Sequence, residues 1–278
     1  MMTSSGAHAS FESRYLSGKR LYGDDFSPEQ IAAWFEDERE GYANIWPGVG
    51  DGSDYEYHRL NMRHGFRHLP AGRRFRQALG VGSAYGAEFE PIVDRLDAVT
   101  ILEPSDQLVN ASPIGGKLRP SYVKPAATGI MPFPDATFDL VLCLSTLHHI
   151  PNVSTVLAEM ARVIEPGGYA LIREPIVSMG DWRSPRKAGV TKRERGIPLT
   201  LFREMVTTAG FAIEGSRVFG FPAVSRLAMA LGRVQYNSVV LTAIDRAASI
   251  VTRPLYRYHA TSAWQKVRPT SLFVVARR

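Results

Sequence analysis

The stretch that decides the fold runs from residue 138 to residue 175 and reads FDLVLCLSTLHHIPNVSTVLAEMARVIEPGGYALIREP. It contains two mainly apolar segments, FDLVLCL (138–144) and YALIRE (169–174), which are typical of strands buried on both faces of a sheet. Between them, residues 153–165 place apolar side chains at helical spacing. A strand, a helix and a second strand in this order predict two parallel strands joined by a covering helix.

The same alternation extends in both directions from this stretch. The predicted strands are FRQALGV (75–81), VTILE (99–103), PSYVK (120–124), FAIEGSRVFG (211–220) and TSLFVVARR (270–278). The predicted helices are AEFEPIVDRL (87–96) and PLTLFREMVTTAG (198–210). The sequence therefore predicts an α/β domain in which helices cover both faces of a mostly parallel sheet.

The remaining segments suggest additions to this core. Residues 1–70 are aromatic and irregular, and contain one clear helix that starts at Ser27-Pro28. Residues 221–269 alternate apolar and basic residues and are predicted to be mostly helical. We predict an N-terminal cap or substrate lid (1–70), a core (71–220), a helical lid or oligomerisation insertion (221–269) and a final core strand (270–278).

Composition excludes several classes of protein. The 278 residues are 45% hydrophobic and 22% charged, as in an ordinary globular protein rather than a disordered chain. The single cysteine, Cys143, permits no internal disulfide. No apolar run approaches the roughly 18 residues of a membrane span, and the first residues do not resemble a signal peptide. We therefore expect a cytoplasmic protein with no membrane partner.

Two stretches concentrate the basic residues of the chain, whose net charge is +6. Residues 181–195 contain six cations and two anions, and residues 59–76 contain six arginines and two histidines but no acid. Both stretches can be solvated loop faces. Alternatively, they form a surface that receives an anionic substrate or a phosphate.

A glycine-rich loop, Gly80-Val81-Gly82-Ser83-Ala84-Tyr85-Gly86, separates the first predicted strand from the first predicted helix of the core. Glycines in this position allow the backbone to turn sharply and approach a ligand closely. The dinucleotide pattern G-x-G-x-x-G fails because Tyr85 replaces the third glycine. Glu103 follows at the end of the next strand, where a carboxylate can accept both hydroxyl hydrogens of a ribose. The alternative is a solvated acid at a strand end.

Four segments together resemble the class I S-adenosylmethionine-dependent methyltransferases, most closely the small-molecule branch that includes methyltransferase type 11. These segments are ALGVGSAYG, ILEP, MPFPDATFDLVLCLSTLHHI and LAEMARVIEPGGYALIREP, within residues 74–220. The resemblance implies a Rossmann-like seven-stranded sheet, ordered 3-2-1-4-5-7-6, whose last strand runs antiparallel. It also implies that S-adenosylmethionine binds at the carboxyl ends of the strands.

The resemblance assigns the cofactor contacts, with three departures from the family pattern. The acid that normally stands two residues before the first loop glycine is replaced by Gly80, the second glycine by Ala84, and the aspartate that meets adenine by Ala127. Adenine is then expected to be held by backbone groups, Pro104 and Met131. The implied cofactor residues are Gly80, Gly82, Ala84, Gly86, Glu103, Pro104, Ala127, Thr128, Met131 and Ser145.

The segment after the fourth strand bears on the acceptor. Enzymes of this fold that methylate base nitrogens have [ND]-P-P-[YF] there, whereas this chain has Ser145-Thr146-Leu147-His148-His149. We therefore expect no nucleic-acid partner and a hydroxyl acceptor, whose proton an imidazole can remove near neutral pH. We predict His148 as the base, His149 as pocket wall or alternate base, and Glu174 as the group that orients the imidazole. The alternatives are structural histidines and a Glu174 paired with Arg173 or loop cations.

The acceptor itself is inferred from the basic loop. Trp182 can stack on a sugar while Arg183 and Arg186 hold an anionic group, although Trp182 can equally be a hydrophobic plug. We prefer a hydroxyl of a saccharide or glycosylated metabolite, acted on by a protein that can be a homo-oligomer. Adjacent histidines do not readily share one metal, so no metal is predicted. A nicotinamide-dependent oxidoreductase and a non-catalytic partner subunit remain as alternatives.

Overall fold

A seven-stranded sheet forms the centre of the computed structural model, which describes residues 12–45, 55–109, 112–180, 182 and 189–278. Its order is β3-β2-β1-β4-β5-β7-β6, which confirms the predicted order, and β7 runs antiparallel to both of its neighbours. The strands are β1 Ala78–Val81, β2 Val99–Leu102, β3 Ser121–Val123, β4 Phe138–Leu144, β5 Ile164–Pro175, β6 Ala212–Phe219 and β7 Ser271–Arg277.

Helices cover both faces of this sheet. The α-helices are α1 Pro28–Glu38, α2 Gly41–Ile45, α3 His58–His64, α4 Val153–Val163, α5 Leu199–Thr208, α6 Pro222–Ala230 and α7 Val239–Thr252. The segment Ala87–Arg95, predicted as a helix, is a 3-10 helix with Pro91 inside it. Proline has no N–H to donate and its ring clashes with the preceding turn, so Pro91 interrupts a regular α-helix here.

The central strand β4 shows why the sequence folds in this way. All seven of its side chains are buried. Val141 and Cys143 belong to the apolar cluster that includes α4 and α5, whereas Leu140 and Leu142 belong to the cluster on the opposite face. Successive side chains of a strand point to opposite faces, so the apolar run 140–144 contributes to both cores at once.

The N-terminal segment packs against the carboxyl edge of the sheet, where the functional site lies. Trp34 of α1 is fully buried, and its Nε1 donates to the carbonyl oxygen of His149 at 2.7 Å. Arg195 is also fully buried and donates to backbone carbonyls of Tyr22, Leu147 and Ile150. These bonds fix the turn after β4 against the N-terminal segment and the end of the basic loop.

Two helices, α6 and α7, separate β6 from β7, in agreement with the predicted helical segment. Asp245 of α7 is buried and accepts hydrogen bonds from the backbone N–H groups of Gly220 and Phe221. This carboxylate joins α7 to the end of β6. Among the described helices, none combines the length and the apolar character that a bilayer span requires.

Candidate active site

A cavity of about 990 Å³ opens at the carboxyl ends of β1, β2, β4 and β5. Its volume lies at the upper end of the range of small-molecule sites, which allows room for a cofactor and an acceptor together. The predicted residues that line it are Gly82, Ala84, Glu103, Pro104, Ala127, Met131, Ser145, His148, His149 and Glu174. Gly80, Gly86, Thr128 and Trp182 are not among the lining residues, and Arg183 and Arg186 lie outside the described residues.

Glu103 directly follows β2 and is a buried carboxylate in the wall of the cavity beside the glycine loop. Its oxygens accept hydrogen bonds from the backbone N–H groups of Ala84 at 3.1 Å and Ser105 at 3.0 Å. Burial raises the pKa of Glu103 to about 7. A carboxylate has about four acceptor sites, so the two backbone bonds leave capacity for the two hydroxyl donors of a ribose. The predicted ribose position therefore fits this residue.

The neighbouring wall is apolar and suits a planar ring. Pro104, Ala127 and Met131 line it together with Leu108. Thr128, by contrast, does not line the cavity. Its carbonyl oxygen accepts a hydrogen bond from Asn152 Nδ2 at 2.7 Å, which ties its loop to the start of α4. An adenine can lie on these apolar side chains and bind backbone groups.

The glycines of the loop are required by the protein's own packing as well as by a ligand. A Cβ atom on Gly82 (φ +63°) would overlap Thr146 Cγ2, and one on Gly86 (φ +74°) would lie 2.8 Å from Ile114 Cδ1. The expected function of these glycines was close approach of a cofactor. A larger residue at Gly82 would displace Thr146 and the turn after β4. A substitution at Gly82 would therefore disturb the protein's own packing as well as cofactor binding.

Glu88 is a second buried acid of the cavity that the sequence analysis did not identify. It lies near Gly80, the position where the family pattern has an acid. A Cβ atom on Gly80 would overlap Ser83 Oγ, so no acidic side chain has room there. Ser83 Oγ instead donates to Glu88 Oε1 at 2.6 Å, and Glu88 is buried and lines the cavity. Burial raises the pKa of Glu88 to about 7. In the sequence it resembles an ordinary solvent-facing acid near the start of a helix.

Glu174 organises the turn that carries the two histidines. Its carboxylate lies 2.7 Å from His148 Nδ1 and accepts from the backbone N–H groups of Thr146 and Leu147, both at 2.8 Å. Arg173 does not pair with it, but donates to Ser145 Oγ and Asn61 Oδ1. The structure thus brings His148 and Glu174 together as the predicted roles require.

The second ring nitrogen of His148 faces another carboxylate. His148 Nε2 lies 3.5 Å from Glu194 Oε1, at the end of the basic loop. Burial alone would lower the pKa of His148, but the charges and hydrogen bonds of Glu174 and Glu194 outweigh it and raise the pKa to about 9. Burial would raise the pKa of Glu194, but the His148 imidazolium lowers it to about 2. The pKa of His148 thus lies above the ordinary imidazole value near 6.5, because two carboxylates flank the ring.

His149 is held in a separate network that reaches the N-terminal segment. Its Nδ1 lies 2.9 Å from Glu38 Oε2 of α1, and Thr191 Oγ1 donates to the same oxygen at 2.6 Å. His148, His149 and Glu194 each offer one atom within 4.8 Å of the others, the spacing of a three-ligand metal site. The sequence-based prediction of no metal rested on the adjacency of the two histidines and did not include Glu194.

The other half of the cavity has aromatic walls. The rings of Tyr57 and Tyr236 stack with centroids 5.3 Å apart, and the guanidinium of Arg173 lies 3.9 Å from the Tyr57 centroid. Trp182, in contrast, stacks on Tyr22 at 5.2 Å and donates to the Ser178 carbonyl oxygen. This arrangement matches the hydrophobic-plug alternative for Trp182 rather than stacking on an acceptor in the cavity.

The sheet order and the cofactor-sized cavity at the carboxyl ends of the parallel strands define a class I methyltransferase fold. Residues 79–172 match the family described as "Methyltransferase domain". Residues 79–172 therefore form a domain of the class I S-adenosylmethionine-dependent methyltransferase family, and the cofactor of this family is S-adenosylmethionine.

Two curated relatives and one solved structure illustrate this likeness. The demethylmenaquinone methyltransferase of Tropheryma whipplei is 29% identical over 98 residues, which are 35% of this chain and 41% of the relative. The 27-O-demethylrifamycin SV methyltransferase of Amycolatopsis mediterranei is 37% identical over 65 residues, which are 21% and 24% of the two chains. The chain thus spans less than half the length of these relatives.

The solved structure is the 1,6-didemethyltoxoflavin-N1-methyltransferase of Burkholderia thailandensis. It has a TM-score of 0.50 and 17% identity, and the alignment covers 91% of each chain. Similarity at this level of identity demonstrates the shared fold.

Proposed function

We propose that this protein is an S-adenosylmethionine-dependent O-methyltransferase that methylates a hydroxyl group of a small molecule. The observation that carries the proposal is the buried His148–Glu174 pair, which lines the same cavity as Glu103. An alcohol must lose its proton as it is methylated, and an imidazole oriented by a carboxylate is suited to accept that proton.

The donor occupies the half of the cavity next to the glycine loop. Glu103 accepts the ribose hydroxyl hydrogens, and Glu88 stands where a carboxylate can bind the ammonium group of the donor in place of the acid missing at Gly80. Pro104, Ala127 and Met131 contact the adenine. When bound, S-adenosylmethionine supplies a methyl group that its positively charged sulfur has already activated.

The acceptor occupies the aromatic half, and we infer that it contains a ring. Tyr57, Tyr236 and Phe219 offer ring faces and edges, and Arg173 adds a positive charge beside Tyr57. The two curated relatives described above are named for small-molecule substrates, one of them an O-demethyl compound. A saccharide or glycosylated metabolite stays one candidate, although Trp182 no longer supports it.

His148 must exchange one partner to act as the base. In the absence of acceptor, Glu194 faces its Nε2. The acceptor hydroxyl takes this position, while Glu174 keeps Nδ1 and stabilises the imidazolium that forms. The neutral imidazole is the active form. Its high pKa makes it a stronger base, but also means that a smaller fraction of the protein has a neutral His148 at pH 7.

The test is transfer of labelled methyl from S-adenosylmethionine to a panel of hydroxylated ring compounds, with S-adenosylhomocysteine and NAD compared as ligands by calorimetry. We expect S-adenosylhomocysteine to bind, NAD not to bind, and label to appear on oxygen. Binding of NAD alone would favour the oxidoreductase. Binding of S-adenosylhomocysteine with label only on nitrogen or carbon would reject the O-methyl assignment. Failure to bind any S-adenosyl compound would favour a non-catalytic subunit.

A further inference from the structure

Five arginines that the proposed active site does not use converge beside the edge strand β6. Arg63 and Arg67 come from the acid-free basic stretch 59–76, Arg217 from β6, Arg246 from α7, and Arg253 directly follows α7. A separate pocket of about 380 Å³ is lined by three of them. Its lining residues are Gly215, Ser216, Arg217, Val218, Arg246, Ile250 and Arg253.

These cations are close enough to disturb one another. Burial, followed by the charges of Arg67 and Arg246, lowers the pKa of Arg217. Burial and the charges of Arg217, Arg246, Arg63 and Arg67 together lower the pKa of the buried His64 to about 3.

No carboxylate among the described residues forms an ion pair with any of the five arginines. Arg63 Nε is buried without a hydrogen-bond partner in the described part of the chain. Clustered arginines without acids repel one another, and an anion bound among them relieves this repulsion. Guanidinium groups bind phosphate through paired hydrogen bonds.

The helix that carries Arg246 and Ile250 also exposes apolar side chains to solvent. Val240, Ile244 and Val251 lie at helical spacing along α7 and expose 65%, 45% and 77% of their surface. Ile250, which lines the pocket, is 55% exposed, and Met229 at the end of α6 is 77% exposed. Between residues 222 and 257 the chain has five arginines and a single acid, the buried Asp245. The segment thus combines exposed aliphatic side chains with uncompensated positive charge.

We propose that the arginine pocket and the exposed apolar side chains of α6 and α7 form one surface that docks on an anionic phospholipid bilayer, with a lipid phosphate in the pocket. Aliphatic side chains enter the acyl boundary while arginines attract the anionic headgroups. A second copy of the chain would place like charges against each other. Nucleic acid would leave the aliphatic side chains exposed. The proposal replaces the sequence-based expectation of no membrane partner and does not depend on the proposed reaction.

The experiment is co-sedimentation of the full chain with vesicles of phosphatidylcholine, alone or with added phosphatidylglycerol. We expect binding that requires phosphatidylglycerol and weakens with salt. Arg246→Gln/Arg253→Gln should weaken it by roughly fivefold per arginine. The control Arg20→Gln/Arg203→Gln removes two exposed arginines outside the surface and should retain most of the binding. Val240→Glu/Val251→Glu should also weaken binding, because charged groups do not enter the acyl boundary.

Several results would overturn the proposal. These are equal binding to both vesicles, equal losses in the two arginine pairs, and saturable binding of inorganic phosphate without vesicle binding. Retention of RNA, or a dimer in light scattering that Val240→Glu/Val251→Glu abolishes, would identify a different occupant and also reject it. Unchanged affinity of each variant for S-adenosylhomocysteine shows that the variant is folded.

Discussion

Two buried glutamates on the same cavity, Glu103 and Glu194, have pKa values shifted in opposite directions, to about 7 and about 2. Both lose hydration on burial, which raises the pKa of a carboxyl group. Glu194 faces the His148 imidazolium, whereas Glu103 faces backbone N–H groups and has Glu40 nearby. In the proposed function, the donor therefore lies beside a carboxylate that can accept its hydroxyl hydrogens. The acceptor must displace Glu194 from its ion pair with His148.

The largest effect is expected at the ion pair. His148→Ala should lower kcat by roughly 10²–10⁴ with unchanged affinity for S-adenosylhomocysteine, because it removes the proton acceptor and leaves Glu103 in place. Steady-state kinetics and calorimetry measure the two quantities. His68→Ala, which changes a half-buried histidine outside the cavity, is the matched control and should retain activity. Near-normal kcat in His148→Ala/His149→Ala would make both histidines structural.

The pH dependence of the rate follows from the same pair. Because His148 acts in its neutral form and its pKa in the free protein is about 9, kcat/KM should rise as the pH increases from 7 towards 9. Glu194→Gln removes one of the two charges that raise this pKa, so it should move the profile to lower pH. Glu194→Asp keeps the charge and is the control. A wild-type plateau reached near pH 6.5 would contradict the assignment.

At the donor half, we expect a loss of affinity rather than of turnover. Glu103→Ala should weaken S-adenosylhomocysteine binding at least tenfold, since each hydrogen bond to a charged group contributes about 1.5–3 kcal/mol. Glu88→Gln should weaken it less, because it removes a charge but keeps a polar side chain. Calorimetry at pH 8 provides the measurement. Glu90→Gln, an exposed acid in the same 3-10 helix, should have no effect.

Stability should respond to pH through His148 and Glu194. The folded pKa of His148 is raised, so its contribution is complete below the unfolded value near 6.5 and is lost as pH rises through about 9. The folded pKa of Glu194 is lowered, so its contribution is present above its unfolded value near 4.5 and is lost as pH falls through about 2. The contribution of this pair to the free energy of unfolding should therefore be greatest between about pH 4.5 and 6.5, as measured by urea unfolding without ligand. His148→Ala should flatten both limbs.

Sequence reasoning recovered the sheet and the local motifs but not the groups that converge from distant segments. The apolar runs and their spacing were sufficient for β4, α4 and β5, and the resemblance supplied the strand order. Glu38 and Glu194 are far from His149 and His148 in sequence, and Glu194 stands among cations that suggest a solvated loop. Tertiary packing brings them together, and spacing along the chain contains no signal of it. The same convergence moved the imidazole pKa away from its ordinary value.

The smallest expected effect concerns the backbone of the donor half. Ala84 has a φ of +44° in the left-handed region, where the family pattern has glycine, and its N–H donates to Glu103. This conformation costs an alanine roughly 1–2 kcal/mol. Ala84→Gly removes that cost but adds about 0.4–1 kcal/mol of unfolded-chain entropy, so a gain in the free energy of unfolding between about 0 and 1.6 kcal/mol is expected.

Ala136→Gly is the matched control for this substitution. Ala136 also has a left-handed φ, +52°, but does not line the cavity, so it should show the same gain in stability without any change in donor affinity. Urea unfolding and calorimetry with S-adenosylhomocysteine would compare the two variants. If the stiffness of Ala84 keeps its N–H directed at Glu103, Ala84→Gly alone should weaken donor binding slightly. Equal affinities in both variants would mean that the Ala84 backbone holds Glu103 in position without its side chain.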